Sequence, residues 1–166
     1  LDDLVRESEE FYKFIELNSV SLQGDLGSPV VSLDGRVSGL VINKNGLVLP
    51  LDQVITPMRA VIKNEQWQQP YLGIRFYDLS EVLNPQIKDK QGALILATQG
   101  IDETSPAKGL LLPNDIILGV EKEELSAKRN LVEILAGYHV GDKIRIKVRR
   151  GETEKEVEVV LGDATK

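Results

Sequence analysis

Apolar and polar positions alternate most strictly near the C-terminus, where Ile144, Ile146 and Val148 are separated by basic residues and Val157 and Val159 flank Glu158. Successive strand side chains point to opposite faces, so this spacing predicts strands over 143–149 and 154–161, with Gly151 at the turn. Shorter apolar runs predict strands over 71–77, 93–98 and 115–120. Apolar residues three and four apart predict helices over 78–87, 106–110 and 126–138. The last of these carries Leu131, Ile134, Leu135 and Tyr138 on one stripe. Residues 71–163 therefore read as an α+β domain.

The first part has a different rhythm. Apolar runs over 30–33 and 36–42 flank Asp34-Gly35, and Asn45-Gly46 leads into 47–49. Such pairs turn tightly because glycine tolerates positive φ, so three antiparallel strands are expected. Val54, Ile55, Met58, Val61 and Ile62 have helical spacing over 52–64. Pro57 lies inside that pattern, so the helix is either kinked or starts there with Thr56 as its cap. Residues 1–16 are acidic and admit either an amphipathic helix or a loop leading into a strand. The polar run 64–70, ending at Pro70, reads as a linker in which Trp67 is a packing anchor. The expected organisation is residues 1–63, a linker over 64–70, and a domain over 71–163.

Composition narrows the chemistry. The 166 residues carry a net charge of −6, with basic residues scattered among acidic ones, which argues against nucleic-acid binding. There is no cysteine, hence no disulfide or thiolate metal site, and the single histidine rules out a multi-histidine metal centre. No cofactor is expected. No window approaches the ~18 apolar residues of a membrane span, and the N-terminus lacks a signal-peptide layout. A chain beginning at Leu1 is expected to be a processed or excised piece. His139 is expected in an exposed turn, and Glu121-Lys122-Glu123-Glu124 in a solvated loop.

Gly24-Asp25-Leu26-Gly27-Ser28-Pro29 follows the nucleophile motif of trypsin-like proteases at every position except the third, where Leu26 replaces serine. The surrounding run from Phe14 to Val31, then 33–39 and 49–54, resembles the second β-barrel of the HtrA/Deg family. The resemblance implies a catalytic histidine and aspartate in a first barrel that this sequence does not contain. An isobutyl group cannot be deprotonated to attack a carbonyl. Backbone amides at Gly24 and Asp25 would be an oxyanion-hole remnant, which without nucleophile or base leaves little catalysis. Ser28 falls at a position that is glycine or serine in the family and is not the nucleophile. Three strands cannot close a six-stranded barrel, so pairing with further material or a second copy is expected.

Tyr71-Leu72-Gly73-Ile74, Gly92-Ala93-Leu94-Ile95, Ser105-Pro106-Ala107-Lys108-Gly109-Leu110, Asn114-Asp115-Ile116-Ile117 and Gly141-Asp142-Lys143-Ile144 resemble, in order and spacing, the PDZ domains that follow HtrA proteases. Asn114 stands where glycine is usual, and asparagine tolerates the left-handed conformation. The resemblance implies a five- to six-stranded partly open barrel with two helices. It also implies strand addition of a peptide between 71–77 and 126–138, its carboxylate on successive amides at Tyr71, Leu72, Gly73 and Ile74. Gly73 would leave room for that carboxylate. Ile74, Phe76, Leu131, Ile134 and Leu135 would line the apolar pocket. The expected function is recognition of apolar C-termini or exposed strands by a PDZ module attached to an inactive protease remnant. Alternatives are a fragment of an active serine endopeptidase in protein quality control, or an assembly module of a homo-oligomer. The family resemblance implies an extracytoplasmic setting.

Overall fold

The computed structural model describes residues 4–9, 14–18, 26–63, 68–82 and 91–164. The chain forms two compact units, one of Phe11–Trp67 and one combining Leu1–Glu10 with Gln68–Lys166. The segment before residue 11 thus packs with the C-terminal unit rather than with the 1–63 unit expected from sequence. It contributes β1 (Val5–Glu7), which settles the choice between helix and strand in favour of a strand.

In the Phe11–Trp67 unit, β2 (Ile15–Glu16), β3 (Pro29–Val31), β4 (Val37–Val41) and β5 (Leu47–Pro50) form an antiparallel sheet in the order β2-β5-β4-β3. Both predicted turns form. The Gly35 amide donates to the Ser32 carbonyl at 2.9 Å, and Asn43 Oδ1 accepts from the amides of Asn45 and Leu47. Val41 and Val48 are buried between strands. Helix α1 (Leu51–Ile62) begins immediately after Pro50 and runs through Pro57, neither starting at Pro57 nor capped by Thr56. Proline's fixed φ is helical, so its interior cost is a missing hydrogen bond and not a necessary break. Among the described residues these four strands, one more than expected, leave the sheet open.

The C-terminal unit holds β6 (Pro70–Tyr71), β7 (Arg75–Asp78), β8 (Ala93–Ile95), β9 (Ile116–Val120), β10 (Glu123–Glu124), α2 (Leu131–Leu135), β11 (Lys143–Arg150), β12 (Thr153–Val160) and β13 (Gly162–Asp163). Its main sheet runs β1-β7-β8-β9-β11-β12, with β10 paired to β9, and β6 pairs with β13 separately. The strictly alternating pair is realised in full register, from Lys143 opposite Val160 to Arg150 opposite Thr153. Ile144, Ile146 and Val148 are fully buried, as are Ile117 of β9 and Leu131 and Leu135 of α2. On the outer face Lys143 and Lys147 pair with Glu158 and Glu154 at 2.7 and 2.9 Å.

Several predicted elements are shorter than expected. The helix over 126–138 is confined to α2, because Asn130 and Glu133 form a reciprocal capping box that fixes its start. Residues 106–110 form turns, with the amides of Leu110 and Leu111 both donating to the Ala107 carbonyl. The helix expected over 78–87 is not formed in its described part, since Asp78 ends β7 and 79–81 turn; residues 83–90 lie outside the described residues. Strand 71–77 is broken at Leu72-Gly73, and strand 93–98 ends at Ile95. Glu123–Glu124 is a short strand rather than a loop. Asn114 has φ 66°, the left-handed conformation expected of it. Next to it Asp115, almost fully buried, accepts two hydrogen bonds from Arg150 at 2.7 and 2.6 Å and one from the Leu112 amide. A buried carboxylate requires such partners.

Candidate functional site

The turn between β6 and β7 is fixed from its inner side. Leu72 is fully buried, and the Ser105 hydroxyl donates to the Leu72 carbonyl at 2.7 Å while accepting from the Ala107 amide at 3.0 Å. The Asp102 amide donates to the Gly73 carbonyl, and the Arg75 amide to the Gly100 carbonyl. The Tyr71 hydroxyl lies 3.1 Å from Asp102 Oδ2 and 3.2 Å from Thr104 Oγ1. With the carbonyl side held, the amides of Gly73 and Ile74 face the opposite edge.

Gly73 has φ +70°, which excludes most side chains. A Cβ there would stand 2.7 Å from Ser105 Cβ, 2.9 Å from Ser105 Cα and 2.8 Å from the Tyr71 ring. Glycine is therefore required by the packing of the turn itself, in addition to any need to keep the edge clear.

That edge is occupied by β1. It runs antiparallel to β7, pairing Val5 with Tyr77, Arg6 with Phe76 and Glu7 with Arg75. The pairing continues into the turn. The Ser8 amide donates to the Ile74 carbonyl at 3.0 Å, and the Ile74 amide donates to Ser8 Oγ at 3.1 Å. The Gly73 amide donates to Glu9 Oε1 at 2.8 Å, and the Ser8 hydroxyl donates to the same oxygen at 2.7 Å. Ser8 is completely buried. Gln69 Nε2 donates to the Glu9 carbonyl at 2.5 Å. Farther along, Arg6 makes two contacts to Glu81, and Arg75 Nε lies 3.0 Å from Glu7 Oε1 as an ion pair without hydrogen-bond alignment.

Burial pushes the Glu9 carboxyl above the usual carboxylate range and the charge of Asp102 adds to this, while the Ser8 and Gly73 hydrogen bonds oppose it. Burial likewise raises the Tyr71 phenol, with Asp102 and Glu9 adding to it.

Of the residues predicted for the apolar pocket, Ile74, Phe76, Leu131, Ile134 and Leu135 are all buried; in the predicted carboxylate turn Leu72 is buried and Tyr71 partly so. Sequence reading missed Ser8, Glu9 and Ser105. A serine and a glutamate in an acidic run carry no signature of strand pairing, whereas Ser105 lay within a matched motif without its hydrogen-bonding role being evident.

Residues 70–161 match the PDZ domain family. The chain belongs to the PDZ family. Over 93% of its length it is 20% identical to a probable periplasmic serine endoprotease, DegP-like, from Pseudomonas putida, and over 89% it is 25% identical to the serine protease Do-like HtrA of Bacillus subtilis. It spans about a third of these curated relatives, 34% and 36%. Among solved structures, the HtrA-type protease AlgW with decapeptide superposes with a TM-score of 0.63 at 23% identity, covering 81% of this chain and 44% of the other. The serine endoprotease from Yersinia pestis superposes with a TM-score of 0.59 at 16% identity, covering 90% and 52%. These superpositions establish the fold.

The protease-like unit places Leu26 in a turn ahead of β3, 54% exposed, with the Gly27 amide donating to the Val41 carbonyl. Gly24 and Asp25, the expected oxyanion-hole remnant, lie outside the described residues, as does Trp67. His139 belongs to the PDZ unit, where its side chain is 89% exposed and its nearest acidic partner is Asp142 at 3.6 Å. Among the described residues no acidic or histidine cluster is arranged to hold a metal, and no helix is long and apolar enough to cross a membrane.

Proposed function

We propose that this PDZ domain binds extended peptides by strand addition to β7, with a carboxylate held on the amides of Gly73 and Ile74. The observation that carries this reading is the Glu9 carboxylate, 2.8 Å from the Gly73 amide, at the end of a strand laid antiparallel along β7. A peptide terminus entering in the same direction would present its carboxylate to the same donors, and hydrogen bonds to a charged acceptor are the stronger kind. The backbone ladder supplies affinity and the buried apolar side chains of β7 and α2 supply specificity. The AlgW neighbour whose structure carries a decapeptide is consistent with such a groove.

The chain acts as a recognition module on an HtrA-like scaffold that does not hydrolyse peptide bonds, because Leu26 offers no nucleophile at the third position of the motif. Its DegP-like relatives favour an extracytoplasmic setting. Fluorescence anisotropy with apolar peptides, each as free acid and as C-terminal amide, tests the reading. Preference for the acid supports it; equal affinity for acid and amide, or no binding to a chain whose β7 edge has been opened, refutes it.

A further inference from the structure

The occupant of the groove is internal, not terminal. Its carboxylate belongs to a side chain, and the polypeptide continues past Glu9. From this we propose that the groove recognises internal strand segments in which a Ser-Glu pair replaces a chain terminus, and that Val5–Glu9 is such a segment, held in place within the same chain. The proposal rests on the strand-addition reading above and extends it to a ligand class that has no free C-terminus.

Each part of the Ser-Glu pair has a task. Antiparallel pairing would ordinarily have the Ile74 amide donate to a backbone carbonyl, but here it donates to Ser8 Oγ. The serine hydroxyl thereby takes the place of its own carbonyl at the last rung, while its amide still donates to the Ile74 carbonyl. The hydroxyl hydrogen goes to Glu9 Oε1, so serine bridges the ladder and the anion. The glutamate side chain then reaches back to the Gly73 amide, which a terminal carboxylate would otherwise take. Gln69 holds the Glu9 carbonyl, so the continuing backbone is itself bound rather than excluded. Upstream, the Arg6–Glu81 and Glu7–Arg75 ion pairs set the register. These pairs are exposed and contribute little affinity.

A tethered occupant competes with every free ligand. If nine chains in ten hold the segment docked, the apparent Kd of a free peptide rises about tenfold. The test uses the full chain in three forms: native, Arg6→Pro and Glu9→Ala. Proline removes an amide from the strand paired with Phe76, and Glu9→Ala removes the oxygen to which the Gly73 amide and the Ser8 hydroxyl donate. Circular dichroism and hydrogen exchange at β11 confirm that the PDZ unit of each variant is folded. Two labelled probes are titrated: an apolar peptide with a free C-terminus, and a peptide of residues 4–10 blocked at both ends, alongside its counterpart with alanine at position 9.

The expected result is that the free-acid peptide binds Arg6→Pro about tenfold more tightly than the native chain, with Glu9→Ala between them. The blocked Ser-Glu peptide should bind Arg6→Pro, and its alanine counterpart, which leaves the Gly73 amide without its acceptor, should bind at least about tenfold more weakly. Equal affinity of the free-acid peptide for all three chains overturns occupancy in place. Failure of the blocked peptide on a variant that binds the free-acid peptide overturns internal recognition while leaving the groove assignment intact. Failure of both peptides on the opened variants overturns the underlying reading itself.

Discussion

Ser105→Ala is the most informative single substitution, because Ser105 touches no ligand yet fixes the turn that presents the Gly73 and Ile74 amides. Its hydroxyl is buried, donates to Leu72 O at 2.7 Å and accepts from the Ala107 amide at 3.0 Å. Alanine removes one oxygen and strands one carbonyl and one amide. A buried polar group left unpaired costs roughly 1–3 kcal/mol, so two would cost about 2–6 kcal/mol if neither found a substitute. Relaxation of the turn toward water reduces this to about 2 kcal/mol. The slowest amides report global opening, and those of Ile144, Ile146 and Val148 lie in the fully buried layer of β11. Their exchange should accelerate about 30-fold, at 1.4 kcal/mol per decade. Peptide affinity should fall as well, because the carboxylate donors lose their backing. An acceleration below about threefold would show that the turn does not depend on Ser105, and the assignment of a positioning role would fail.

Further outcomes follow from the same geometry. Gly73→Ala forces a Cβ against Ser105 and Tyr71 at positive φ, and should destabilise the PDZ unit by about 2 kcal/mol in urea denaturation, with unchanged stability sinking the close-packing argument. The Glu9 carboxyl is raised on docking, so protonation favours the docked segment. That contribution is complete below the ordinary carboxylate value of 4.5 and is lost as pH rises through the raised value. Hydrogen exchange of the Gly73 and Ile74 amides, corrected for intrinsic rate, should therefore show more protection near pH 4 than at pH 7, with the reverse trend counting against burial as the dominant effect. Arg150→Met leaves the Asp115 carboxylate buried without its guanidinium. The pair is partly exposed on the arginine side, so a loss of about 2–3 kcal/mol is expected in thermal melts of the PDZ unit. Leu26→Ser should yield no peptidase activity in this chain, because its single histidine, His139, is an exposed turn residue of the PDZ unit; measurable casein cleavage would show that the new serine is activated without a histidine beside it.

What was legible in the sequence was local. The β11–β12 hairpin declared itself through period-two alternation and Gly151, and Asn114 through its tolerance of a left-handed backbone, because both depend on neighbours a few residues away. The limits of α2 were also written locally, in Asn130 and Glu133, but the longer apolar stripe over 126–138 obscured the capping box. Residues 106–110 carry helical spacing, yet their backbone closes only single turns over Ala107. Strand β1 is not decided by the sequence, because residues 1–16 admit either an amphipathic helix or a loop leading into a strand. Three residues, Val5-Arg6-Glu7, have no periodicity to measure, and the partner that makes them a strand lies about seventy positions later at Arg75–Tyr77. The candidate site followed the same division. The Tyr71–Ile74 turn was visible as a motif, whereas the group that fills it and the serine that backs it are products of tertiary placement.

The two ends of the PDZ sheet are protected by different means. At β12 the exposed Glu154 and Glu158 are matched to Lys147 and Lys143, so the last strand meets neighbouring molecules as a row of fixed charge that discourages further pairing. At β7 protection is a removable strand. Solubility is therefore unequal around the molecule: the β12 end stays dispersed whatever the chain is doing, while the β7 end is inert only as long as something lies along it. Whenever Val5–Glu9 leaves, the PDZ sheet gains an adhesive edge at β7, and a chain caught between occupants can take another strand there, including that of a second copy of itself.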